Sequence, residues 1–223
     1  YDALLRNLHS EEHGEGEVVV SLEKFYRGAV VSEDLKAVSM VLPACHQYEV
    51  YKAKNRFPEA KGPGLEDSLA QALKGNIILN AAGAGCDALA MNKARTTEGS
   101  VSIVRAIHMK HTSNNNQLTE KEIEDSISNG RSVLTALSCF AQKQVHVVIS
   151  NRNAATNPEL NVGSARERIV VSESQLRGFF GATFADRARL AMRKPHPPVN
   201  WPVRSYSTRV YPILKTAFLR LIR

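Results

Sequence analysis

The chain has 223 residues, 43% hydrophobic but only 6% aromatic. That is enough for one hydrophobic core and short for two independent catalytic domains. Its formal net charge of +7 and isoelectric point near 9.4 point to a polyanionic partner, because each phosphate neutralised by Lys or Arg releases condensed counterions.

The opening segment "YDALLRNLHS" reads as a short helix and "EEHGEGE" as a polar connector. "EVVVSL" reads as a strand, since three consecutive valines crowd a helix, and "FYRGAVV" is expected to pair with it. From Ser32, an N-cap followed by Glu33 and Asp34, the pattern predicts a helix that ends at Pro43. "YKAKNRFPEAKGPG" is a basic surface loop carrying Lys52, Lys54, Arg56 and Lys61, and "LEDSLAQALKGN" is a short amphipathic helix stopped by Gly75.

"NIILNAAGAGCDALA" places Gly83, Gly85 and Ala88 at the spacing of a G-x-G-x-x-A turn opening a helix, which lets a pyrophosphate approach the backbone. "SVSIVRAI" would then be a second strand, with Arg105 placed to meet a 2′-phosphate. The competing reading is close packing of small residues on a helix, and Asp87 opposes bound phosphate.

The best helix lies in "LTEKEIEDSISNGRSVLTALSCFAQK": Thr119 and Glu122 form a capping box, and Ile123, Ile127, Leu134, Leu137 and Ala141 follow at helical spacing. Gly130 inside it costs about 1 kcal/mol against Ala and marks a kink or a close contact. "VHVVIS" and "ERIVVS" read as strands separated by the turn-rich loop "NRNAATNPELNVGSAR". "SQLRGFFGATFADRARLAMRK", starting from Ser172 or Ser174, reads as a last helix with a phenylalanine stripe. Prolines at 195, 197, 198, 202 and 212 then forbid a continuous helix, so this stretch is expected to be an extended arm bearing Trp201, Tyr206 and Tyr211. The arm ends in an amphipathic helix with Leu214, Phe218 and Leu221 on its apolar face.

Cys45, Cys86 and Cys139 form no CxxC pair, which argues against a zinc ribbon or a disulfide framework and for a reducing compartment. His108 and His111 stand three apart, as two ligands on one helical face would, but no Glu or Cys accompanies them at ligand spacing. No nucleophile elbow, H-E-x-x-H helix or phosphate loop occurs. No apolar run approaches the roughly 20 residues of a bilayer span, and no signal peptide is recognised at the first residues. The chain opens at Tyr1 rather than Met, as a processed product or a piece of a longer chain would.

Basic residues carry most of the functional signal. Lys52, Lys54, Arg56, Arg152, Arg166, Arg168, Arg177, Arg187, Arg189, Arg193 and Lys194 are the candidate contacts to a phosphate backbone, with Asn151, Asn153 and Asn157 as neutral donors. The expectation is a mainly α domain with a minor β component over residues 1–194 and the arm over 195–223, with an α/β Rossmann-like fold as the alternative. The expected function is that of a structural, RNA-binding subunit of a larger assembly, such as a viral nucleocapsid or coat protein or an organellar ribosome-associated protein. It is not expected to be an enzyme and needs no cofactor or metal. Its partners would be single-stranded RNA and neighbouring subunits reached through the arm, with no membrane, in an intracellular compartment or a virion. The rival is a small NAD(P)-dependent oxidoreductase using Gly83 and Gly85.

Overall fold

Short runs of β-branched and apolar residues recur along this chain, and they pair into one large sheet. The computed structural model describes residues 18–42, 50–58, 63–111, 116–155 and 167–181. Among these residues the strands are β1 (Val18–Ser21), β2 (Val30–Val31), β3 (Ser39–Leu42), β4 (Val50–Lys52), β5 (Ile77–Leu79), β6 (Ala88–Thr96), β7 (Gly99–Lys110), β8 (Lys143–Ser150) and β9 (Arg168–Val171). The helices are α1 (Leu22–Phe25), α2 (Glu33–Lys36), α3 (Pro63–Leu73), α4 (Glu120–Ala136) and α5 (Leu176–Phe180), the last preceded by a 3-10 turn over Glu173–Gln175. The fold is mostly β, a curled mixed sheet resembling half a barrel, and the expectations of a mainly α domain and of a Rossmann-like alternative are both overturned.

Two segments show why. Ser32 does precede a helix, but it lasts a single turn, Glu33–Lys36. Beyond it Val38, Met40 and Leu42 are buried in the same core at every second residue, the period of a strand rather than of a helix. The glycine turn fails as a dinucleotide fingerprint because Ala88 begins a strand, and β5 and β6 are antiparallel neighbours with the turn between them. A Rossmann turn needs a helix at that point and a parallel strand beyond it.

The strand order is β1-β3-β6-β7-β8-β9-β2, with β5 also pairing β6 and β4 pairing β5. A flat sheet of this order would hold β1 and β2 about 29 Å apart at the usual strand spacing. Only the residues from Leu22 to Ala29 join them, and four of these are coiled in α1, so the connection holds the sheet in a curl. β2 therefore pairs β9, through Val30 with Val170, and not β1 as its sequence position suggests.

The curl separates two cores. Inside it Val20, Met40, Ala94, Ile103, Val145, Val147, Ile169 and Val171 meet α1 and α5 through Leu22, Phe25, Leu176 and Phe179. Arg105 is also inside, 2% exposed, donating to Tyr26 Oη at 2.8 Å and to Asn92 Oδ1 at 2.7 Å. Its guanidinium carbon lies 5.3 Å from the centre of the Phe25 ring, a cation–π contact. This burial removes Arg105 from any role in meeting a 2′-phosphate.

On the outer face α4 is the crossover between β7 and β8, which are parallel. Leu134 and Leu137 pack there with Ile78, Leu89, Val104 and Ala106, while Ile123 and Ile127 meet Val148 and Val170. The helix begins at the capping box read from the sequence: Thr119 Oγ1 accepts from the Glu122 N–H, and Glu122 accepts from the Thr119 N–H.

Candidate functional site

β7 is extended through Lys110 and His111 lies just beyond its end, so the shared helical face on which His108 and His111 would have stood as ligands is absent. His108 points outward under α4, and its neighbour there is His146 of β8. The two rings are stacked with centroids 6.0 Å apart and planes 22° from parallel. They are 4% and 8% exposed. Burial lowers the pKa of His108 to about 3, helped by the charges of His146 and Lys110. Burial and the charge of Arg131 lower that of His146 to about 4, so both imidazoles are neutral near pH 7. Neither His108 Nε2 nor His146 Nδ1 has a hydrogen-bond partner among the described residues.

Gly130 is what allows the rings to lie there. A Cβ at this position would stand 2.6 Å from His108 Nε2 and 3.1 Å from His146 Nδ1, well inside contact distance. The glycine in the middle of α4 thus marks a close contact in an unbroken helix. Gly85 allows a second close approach on the same helix: its Cβ would strike the Asn129 carbonyl oxygen and stand 2.8 Å from Val133 Cγ2. The β5–β6 turn therefore rests directly on the backbone of α4.

Where turn, helix and the end of β7 meet there is a polar cleft of about 570 Å³. It is lined by the Gly83–Asp87 turn, by His108 and Lys110 of β7, and by Ser128, Asn129 and Ser132 of α4. Asp87 is held by its Oδ2, which accepts the Met109 N–H at 2.7 Å.

The basic loop predicted from Lys52, Lys54 and Arg56 lies at one side of this turn. Asn80 joins the two, since its Oδ1 accepts the Phe57 N–H at 2.8 Å and its Nδ2 donates to the Phe57 carbonyl at 2.7 Å. Phe57 itself is 1% exposed in the outer core, and the Ala53 N–H bonds the Leu79 carbonyl at 2.9 Å. Lys54 and Arg56 between these anchors, and Lys52 at the end of β4 just before them, are all exposed. The Arg56 guanidinium lies against Gly83, where a Cβ would be 2.8 Å from its Nη2, and Gly83 has φ +78°. None of the three cations has an acidic partner among the described residues.

The remaining candidate residues divide. Arg152 is buried and donates from Nη2 to Glu122 Oε1 at 2.8 Å. That bond and the Thr119 N–H hold the Glu122 carboxyl down at about 2. Arg168 is buried too and pairs with Glu120 and, at 3.1 Å, with Glu124. These two arginines fasten the first turns of α4 to the segment just after β8 and to β9, and their charges are engaged within the protein. Arg177 is exposed on α5. Arg166, Arg187, Arg189, Arg193 and Lys194, together with Trp201, Tyr206, Tyr211, Leu214, Phe218 and Leu221, lie outside the described residues.

Sequence reasoning missed His146, Asn80 and Lys110 as members of a single site. His146 carried a signal, a lone imidazole between Val145 and Val147 in an apolar strand, whereas nothing local marks Asn80 as the fastener of a loop 23 residues away. No protein-family model, curated protein or solved structure matches this chain.

Proposed function

We propose that the protein is a structural subunit that binds single-stranded RNA by its phosphate backbone, through the edge formed by Lys52, Lys54, Arg56 and Lys110. One observation carries this reading: three exposed cations without acidic partners among the described residues sit on a segment pinned at Phe57 by Asn80 and laid over the glycine turn. Pinning reduces the entropy lost when a strand is bound, and the net charge of +7 attracts a polyanion from a distance. The dinucleotide alternative has lost its physical basis, because the glycine turn opens a strand and not a helix. Participation in a larger assembly rests on the sequence pattern of residues 195–223.

Fluorescence anisotropy with a labelled single-stranded RNA, titrated at several salt concentrations, tests the reading. The log of affinity should fall linearly with log salt, by about 0.7 per phosphate contacted. Reversing two cations together, Lys54→Glu with Arg56→Glu, should weaken binding and reduce that slope by about 1.4. A wild-type affinity indifferent to salt, or a slope unchanged by the double reversal, refutes it.

A further inference from the structure

We infer that the cleft beside this edge takes the sugar of one bound nucleotide, with Asp87 accepting its 2′-hydroxyl, so that the protein prefers RNA to DNA; this rests on the RNA-binding reading above. A track built only to neutralise phosphates gains nothing from a carboxylate, which repels them. Yet Asp87 is exposed in the same cleft as Lys110, beside the turn that Arg56 covers. Its Oδ2 is occupied by the Met109 N–H, and its Oδ1 has no partner among the described residues. A carboxylate so placed selects a hydroxyl donor.

The other lining groups agree. Ser128 and Asn129 of α4 are exposed, with side chains free of partners among the described residues, and Ser132 bonds only the Asn129 carbonyl at 3.2 Å. His108, 4% exposed, contributes a neutral imidazole to the floor. No aromatic ring other than this imidazole is among the lining residues, so a base entering the cleft would have no exposed stacking partner. A sugar, with hydroxyls to donate and accept, suits this lining, while the adjoining phosphate meets Lys110 or Arg56. The 2′-hydroxyl is the group by which a protein tells RNA from DNA, and this one would be read without regard to base.

Oligouridylate and oligodeoxyuridylate of equal length, which differ only at the 2′ position, are the probes, with affinity read by anisotropy on the full chain. The wild type should bind the ribo form about tenfold more tightly, as expected of a hydrogen bond to a charged acceptor. Asp87→Ala should bring that ratio close to one and at the same time tighten binding of the deoxy form, because a repulsive charge has gone. Asp87→Asn, which keeps an oxygen for the Met109 N–H, serves where Asp87→Ala disturbs the fold, and it should reduce the ratio at least threefold. Equal wild-type binding of the two probes with a steep salt dependence overturns the inference and leaves the RNA-binding reading standing. So does a ratio that survives Asp87→Asn. Failure of both probes to bind overturns the reading and the inference together.

Discussion

Gly130→Ala puts the packing of the candidate site to a test in which two effects oppose each other. In a solvent-facing helix the change should stabilise by about 1 kcal/mol, since Ala is the better helix former. Here the new methyl would stand 2.6 and 2.8 Å from His108 Nε2 and Cε1 and 3.1 Å from His146 Nδ1, against an ordinary contact of about 3.5 Å or more. Relief requires the His108 ring to move by nearly 1 Å, yet it is stacked on His146 and enclosed between β7 and α4. Overpacking of that kind costs about 1 to 3 kcal/mol, so the net expectation is a loss of up to about 2 kcal/mol. Urea denaturation followed by circular dichroism at neutral pH measures it. In a His108→Ala background the methyl has room, and the same substitution should become neutral or stabilising. A Gly130→Ala variant more stable than the wild type would refute the argument and place the two histidines elsewhere.

Stability should also depend on pH in a defined window. His108 and His146 titrate in the fold at about 3 and about 4, below the value near 6.5 of an unfolded histidine. The unfolded chain therefore binds more protons between those limits, and stability is complete above about pH 6.5 and falls on acidification. About 2 kcal/mol for each histidine should be lost by pH 5, above the range where carboxylates titrate; replacing both by Gln should flatten a denaturation midpoint measured from pH 5 to 7. Deleting residues 195–223 should leave the circular dichroism of the domain intact and abolish self-association in light scattering, and unchanged association would remove the arm as connector.

Several elements of this fold were legible in the sequence. α4 carried its cap, its stripe and its glycine, and the β-branched runs around Val18, Val147 and Val170 lie in β1, β8 and β9. β6 was not legible. Ala88, Leu89, Ala90, Met91 and Lys93 are helix formers by intrinsic preference, and pairing with β3, β5 and β7 overrode it. Arg152 and Arg168 looked like surface cations because sequence records charge and not the acids on α4 that would meet them. The basic loop at Lys52, Lys54 and Arg56 was visible as charge, but the Asn80 amide that holds it, the Asp87 carboxylate next to it and the stacked histidines beneath are products of tertiary contact. No spacing rule joins residue 80 to 57, or 108 to 146.

The pairing of β2 with β9 sets the order of events during synthesis. Val30 cannot meet Val170 until the ribosome has delivered nearly the whole of the described chain, so the curl cannot close early. Until then β2 and β8 both present bare backbone edges, the condition under which strands pair with the wrong chain. A topology this rich in distant contacts folds slowly. Conditions that delay β9 should therefore appear as aggregation during expression, even for variants whose finished fold is as stable as the wild type.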